Sequence, residues 1–589
     1  MAKERGAICT QSRAWPQQAQ AEDQSPAPAQ TGGAPTTRRT VVSRRAFLKV
    51  GSVATAALAA GGIILPPLLG STGSSARADE IGPLSDRARA NASFQLRGDL
   101  ARAQHDLPLV AHPCNGDEAL YADKSNSFHK CLPHDGFGRV DVHAYQSLLN
   151  ALSSGDPADF EHIILGGIRH LTNPQAGLAF DLEGTDSHNF TVPPAPALAS
   201  AQQAAEMVEL YWASLLRDVP FTRYSTHALA QAAPAELHGL PGYAGPRNPG
   251  GQVTTQELFR GGFAGETVGP YLSQFMVLPT LFGTQPISQQ FVTVMPGVDY
   301  LTDFAAYLTV QNGGSTGLAL VYDPIPRCLR NGRDLSAWTH VDVLYQGYFV
   351  ALLVLLGLGA PVNPGSPYAA SRTQDGFGTF GGSDFAATVG EVAARALQRV
   401  WFQKWFVHRR ARPEVPGAIA HLIQIGQGHH IDGTLSTDLL NSQGLARSFT
   451  TYGSYLLSQA FPEGAPTHPS YPTGHGTVAG ACITVLKFFF DGSFVIPHPM
   501  VPSEDGLTLQ PYVGAPLTVN GELHKLGHNV SFGHGIHAGI HYRSDTDESL
   551  KLGEAMALSI LQEKAQAYNE PFTVHPTTFD GTIATIANE

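Results

Sequence analysis

The chain has 589 residues, 43% hydrophobic and 15% charged, with 24 histidines and a net charge of −12. This is a globular composition, long enough for two or more domains or one large double core. The first 78 residues are net positive, which leaves the remainder at −18; such a surface argues against nucleic acid and anionic membrane as partners.

In chain order, Ser43-Arg44-Arg45-Ala46-Phe47-Leu48-Lys49 is followed by an apolar, Gly/Ala-rich run from Val50 to Leu69 and then by Ala76-Arg77-Ala78. That order reads as a twin-arginine segment, a hydrophobic stretch and a small-residue cleavage site. Pro66-Pro67 and the glycines argue against a lasting membrane anchor. Residues 1–78 are therefore expected to be a leader with a low-complexity start, and the mature chain, exported to the periplasm or beyond, to begin near Asp79. Of the five cysteines, Cys9 lies in the leader. Cys114, Cys131, Cys328 and Cys482 form no CxxC pair, and an oxidising location admits a Cys114–Cys131 bridge.

The mature part reads as mostly helical. From Ala204 to Pro220, the rows Met207–Tyr211–Leu215 and Val208–Trp212–Leu216 repeat every four residues and make one apolar face. Val343–Pro361 is apolar all round, but its uninterrupted part is shorter than the roughly 20 residues a bilayer needs, so a helix in a bundle core is expected. Further helices are predicted from Phe380 to Phe406 and from Thr477 to Asp491. Long Gly/Pro/Ser-rich connections, 238–251 and 365–382, separate them. A soft boundary near Arg333 divides a first helical region, 79–333, from a second, 334–589.

Three stretches of the second region carry chemistry. Trp401-x-x-Lys404 runs on to Arg412-Pro413; His468-Pro469-Ser470-Tyr471-Pro472-Thr473-Gly474-His475 follows; His541-Tyr542-Arg543-Ser544-Asp545 closes the set. Lys404 and Arg412 bring positive charge, Thr473 a hydroxyl, and Gly474 a closely approachable backbone N–H. His475 can move protons near neutral pH, and His541 can bond to a tetrahedral or bipyramidal centre. On a continuous helix Arg412 lies about 80° around from Lys404 and about 12 Å along it, so two long side chains still converge on one ion. Gly474-His475 is expected at a helix N-terminus, where the dipole favours an anion. The set suits phosphate or vanadate. No HExxH, GxSxG or P-loop pattern is present.

These stretches resemble the superfamily that joins vanadium-dependent haloperoxidases to type 2 phosphatidic acid phosphatases and bacterial acid phosphatases. The eight-residue Lys404–Arg412 separation, Trp401 and the HPSYPTGH run are similar to its algal-type bromoperoxidase branch. So are Leu165–Gly167, Asn173–Gly184, Glu257–Gly262, Gly269–Phe275 and His340–Gln346. The resemblance implies a mainly α-helical protein with two four-helix-bundle-like cores and long Gly/Pro-rich loops. It implies vanadate as cofactor, hydrogen peroxide and bromide or iodide as reactants, a small organic acceptor in some relatives, and a homo-oligomer. Vanadate would be held by His541, Lys404, Arg412, Thr473, Gly474 and Trp401. His475 would act as base, Lys404 would polarise the bound peroxide, and His468 would be linked to halide handling. An acid phosphatase with a His541 nucleophile, or a non-catalytic exported protein with a decayed site, are the alternatives.

Two departures stand out. Thr473 replaces the family's serine and keeps the hydroxyl. Gly535 stands where the family has a second arginine, six residues before His541; the string Phe532–His541 is one residue longer than usual, which makes His534 the candidate replacement, with His537 a second source of charge. Arg543 is a poor substitute, because relatives carry an arginine there as well. The roles of His528, His429 and His430 stay open.

Overall fold

A computed structural model describes residues 83–429, 431 and 433–588. The twin-arginine segment, its cleavage site, Cys9 and His430 lie outside the described residues. The described residues from Gly98 onward form one compact unit. The architecture is mainly α-helical; the described strands are short two-stranded antiparallel pairs.

Seven helices position the site: α1 (Ala201–Leu215), α2 (Gly332–His340), α3 (Gln346–Gly357), α4 (Gly382–Phe402), α5 (Gly474–Phe489), α6 (Val519–Phe532) and α7 (Arg543–Ala567). The central one is α5, all of whose residues are buried. It packs on α7 and α4 and, less extensively, on α6 and α3. Its partner α7 comes unusually close because small residues face each other. A Cβ on Gly476 would run into Ser549 Oγ, one on Gly480 into the Leu550 carbonyl, and one on Gly553 into the Thr477 carbonyl. Glycine costs helix stability in itself, so its placement at these contacts reflects the spacing they require.

The sequence places the helices well but not all their ends. Ser200 caps α1 by accepting the Gln203 N–H (3.1 Å), so the helix starts at Ala201, three residues before the predicted start. The α1 rows predicted as apolar are buried, with Leu215 partly exposed. α3 buries Tyr348, Ala351, Leu352, Val354 and Leu355 but leaves Leu356 44% exposed, so it lies against the core instead of inside it. Among the described residues no helix is long and apolar enough to cross a membrane. The Cys114–Cys131 bridge is not formed: Cys114 is an exposed thiol and Cys131 a buried one.

His528 is structural. Its Nδ1 contacts Glu266 Oε1 (2.5 Å) and its Nε2 contacts Asp547 Oδ1 (2.8 Å). These carboxylates outweigh burial and push it up to about 9. His429 is exposed.

The α5–α7 approach gives a direct test. Gly480→Ala gains helix propensity yet drives a methyl group into a backbone carbonyl, so a net loss of about 1–3 kcal/mol is expected in denaturant unfolding. A neutral or stabilising result refutes the close-approach account.

Candidate anion-binding site

The three predicted stretches converge at the N-terminal ends of α5 and α7. After α4 the backbone widens into a π-turn over Gln403–His408, and Arg409 adopts a left-handed conformation (φ 41°). The continuous helix expected to carry Lys404 and Arg412 therefore ends between them. The following segment is extended and pinned: Ala411 N–H donates to Asn126 O (3.0 Å), and Ser470 N–H donates to Arg410 O (2.9 Å). This reversal, not a helical wheel, brings Arg412 back beside Lys404.

Lys404 Nζ is fully buried and donates to the carbonyls of Pro469 and Ser470, both at 2.8 Å. Trp401 lies 5.9 Å below the ammonium and packs on the His468 ring at 4.8 Å. Arg412 donates to His468 O (2.9 Å) and Ile540 O (3.0 Å), and its Nη1 meets His541 Nε2 at 2.7 Å. Arg412 Nη2 also contacts the His468 ring nitrogens, at 3.0 and 3.3 Å. Thr473 precedes α5 in the capping position without capping it; its hydroxyl lies 3.4 Å from His541 Nε2. Gly474 is the first residue of α5, so its N–H has no partner within the helix. A Cβ there would make only ordinary contacts with Leu397 and Trp401, so Gly474 is not sterically obligatory.

His541 is held from behind. Its Nδ1 faces Asp545 Oδ2 at 2.9 Å, and the same oxygen accepts from Ser470 Oγ (2.5 Å) and the Tyr542 N–H (3.1 Å). Asp545 Oδ1 accepts from Arg410 Nη1 (2.7 Å). A carboxylate on Nδ1 fixes the proton there and leaves the Nε2 lone pair turned to Arg412 and Thr473. Sequence reasoning quoted Ser470 and Asp545 within its motifs but gave them no role. The four-residue spacing of His541 and Asp545 across the start of α7 is the signal that could have found Asp545; Ser470 joins it only through tertiary contact.

His475 Nε2 contacts Asp342 Oδ1 at 3.1 Å, and its ring stacks on that of His534 at 3.9 Å. Asp342, in the segment between α2 and α3, also had no role assigned; nothing local in the sequence links it to a histidine 133 positions away. One further expectation fails. His537 turns away, its Nε2 on Tyr271 Oη at 2.8 Å among Phe221 and Phe259, and burial pushes it down to about 3. It supplies no charge to the site. Arg543 likewise points elsewhere, bonded to both oxygens of Glu209.

The electrostatics show what the cluster lacks. Burial and then the neighbouring Arg412 push Lys404 well below the usual ammonium range. Burial lowers Arg412 to about 10. His541 and His468 are pushed well down by burial and then Arg412. Asp545, the carboxylate nearest these groups, already bonds Arg410 and Ser470. A buried set of bases all displaced toward neutrality is one that an anion would re-charge. The donors and the Nε2 lone pair, which Arg412 meets, together fit a tetrahedral oxyanion that also accepts a nitrogen ligand, as vanadate does.

The fold and site thus define a helical protein built around a buried oxyanion cradle. No family model matches the chain. It is 34% identical to the vanadium-dependent bromoperoxidase of Corallina officinalis, over 85% of this chain and 99% of that protein. It is 35% identical to that of Ascophyllum nodosum, over 85% and 93%. The second vanadate-dependent bromoperoxidase of Ascophyllum nodosum, solved as a homohexamer, superposes with a TM-score of 0.83 at 30% identity, covering 90% of this chain and 95% of that one. The chain belongs to the vanadium-dependent bromoperoxidase family.

A cradle short of an anion should be stabilised by one. Orthovanadate at a hundredfold excess over its dissociation constant is expected to add about 2.7 kcal/mol, which raises the melting temperature by about 2–3 °C for a unit of this size. Differential scanning calorimetry with equal chloride as control checks it; no shift argues against the cradle.

Proposed function

We propose that the protein is a vanadate-dependent haloperoxidase that oxidises bromide or iodide with hydrogen peroxide. The observation that carries this reading is the buried Lys404–Arg412–Thr473–His541 cluster with its Nε2 lone pair aimed inward, in a chain of this family. The overall reaction balances as hydrogen peroxide, bromide and one proton giving hypobromous acid and water. Vanadate, when bound, supplies an electrophilic centre that activates peroxide toward halide without changing its own oxidation state.

The chain's own residues prepare that centre. His541 presents Nε2, and Asp545 keeps the proton on Nδ1 so that this lone pair stays available. Lys404, Arg412, the Thr473 hydroxyl and the N-terminal amides of α5 offset negative charge on the oxyanion in a water-poor pocket, where fixed donors act most strongly. Lys404 also polarises the oxygen that the halide attacks. His475 takes a proton from hydrogen peroxide. With Nε2 committed to Asp342, Nδ1 is the atom for that task, and Asp342 is its positioning residue. His468 and Trp401, packed together beside Lys404, form the wall on which halide is handled.

The same reading includes export by the twin-arginine route to the periplasm or beyond, and a homo-oligomer, which the hexameric relative supports. A small organic molecule is the eventual halogen acceptor.

Peroxide-dependent bromination of a phenolic or β-diketone dye, with and without orthovanadate, tests the function. Vanadate-dependent turnover is expected; hydrolysis of an aryl phosphate that vanadate inhibits, without bromination, transfers the site to phosphatase chemistry. Lys404→Ala is expected to lower kcat/KM at least a hundredfold with the fold intact by circular dichroism. Asp342→Asn is expected to lower kcat roughly tenfold and to displace the pH–rate profile. An unmoved profile reduces Asp342 to a structural role.

A further inference from the structure

The wall of the cradle opposite Lys404 is built by a second π-turn, Gly533–His537, that closes α6. A π-turn is how a helix takes in one extra residue without breaking, and it rotates the residues it contains relative to an ordinary helical register. Two neighbours in this turn face different surroundings. Gly535 sits behind His541: a Cβ there would lie 3.1 Å from His541 Cβ, tighter than a side chain normally tolerates. Its carbonyl accepts the N–H groups of Gly539 (3.0 Å) and Ile540 (2.9 Å), which fixes the approach to His541. Position 535 thus serves the backbone behind His541, and a side chain there would press on it.

His534 faces the site. Its ring stacks on His475 at 3.9 Å and 28°, and its centroid lies 6.0 Å from that of His541. It is only 8% exposed, and its Nδ1 is buried with no hydrogen-bond partner. A buried ring nitrogen left unpaired costs about 1–3 kcal/mol unless something outside the protein completes it. Burial, then His475, His541 and Arg412, all push the imidazole down, the same displacement that marks Lys404 and Arg412. His534 therefore shares the electrostatic field of the cradle from its remaining side.

We propose that His534, presented by the π-turn, is an oxyanion-binding residue of this site that completes the cradle in place of a side chain at Gly535. It contributes a single hydrogen bond, where an arginine would offer two donors and a fixed charge. The cradle of this protein is accordingly built on two basic side chains, Lys404 and Arg412, with an imidazole beside them. The stack also ties the two histidines together: His534 limits the tilt of His475, whose other edge Asp342 holds. The proposal rests on the oxyanion reading of the site and deepens it.

Calorimetric titration of the purified full chain with orthovanadate tests it directly, without turnover. His534→Ala is expected to weaken binding about tenfold, the worth of one hydrogen bond to a buried anion. His534→Gln, which keeps a donor, is expected to recover most of the affinity, a rescue that a purely packing role would not give. Unfolding temperatures of the unliganded variants identify any loss of fold. Vanadate binding by His534→Ala as tight as by the natural chain overturns this inference alone. Equal weakening in the Ala and Gln variants also overturns it, assigning His534 to packing. Failure of the natural chain to bind vanadate overturns the oxyanion reading together with it.

Discussion

The site depends on how closely α5 and α7 approach. Thr473–Gly474–His475 opens one helix and His541–Asp545 spans the start of the other, so their separation sets the depth of the cradle. Thr473 N–H donates to the Asp545 carbonyl at 3.0 Å, which locks the two starts together. That bond is possible because Gly476, Gly480 and Gly553 bring no side chain of their own into the contact. Asp545 then gathers His541, Ser470, Tyr542 N–H and Arg410 around a single buried carboxyl group. The same packing that stabilises the core positions the chemistry.

The cost of this arrangement is electrostatic. Lys404, Arg410 and Arg412 are buried together, and a buried cation without a partner is strongly destabilising. Arg410 is compensated, by Asp545 and Glu206, and is pushed up accordingly. Lys404 and Arg412 are not; they satisfy their donors on carbonyl oxygens and on a histidine nitrogen, which supply hydrogen bonds but no negative charge. The contrast between neighbours two residues apart separates a structural arginine from a ligand-binding one. Arg410 belongs to the scaffold that holds His541, and Arg412 to the face on which His541 Nε2 opens.

Much of this was legible in the sequence, for identifiable reasons. Helical periodicity located α1, and the motif Thr473-Gly474-His475 located the start of α5, because these signals are local. The reversal at Arg409 was not legible, since a left-handed non-glycine residue and a π-turn leave little mark on periodicity; a helical wheel there gave the right partners for the wrong reason. Asp342 and Ser470 escaped because their roles arise only from tertiary contact. The histidines show the limit most clearly. His475, His534, His537 and His541 all lie within motif-like strings, yet His537 points into an aromatic cluster while His534 faces the cradle.

Both π-turns of the site contain residues of the cradle, Lys404 in one and His534 in the other. An ordinary α-helix presents side chains at fixed 100° steps, which seldom aims a residue at a point set by two other helices. One widened turn changes that angle locally while the rest of the helix keeps its packing. In the second turn the change has a further consequence. By giving the inward direction to position 534, it leaves position 535 against His541, where only a residue without a side chain fits comfortably. Gly535 and His534 are then two sides of one adjustment. The lost arginine reads as part of a rebuilt wall, because a merely decayed site would not be expected to retain Lys404, Arg412, Thr473 and the Asp545–His541 pair in mutual register.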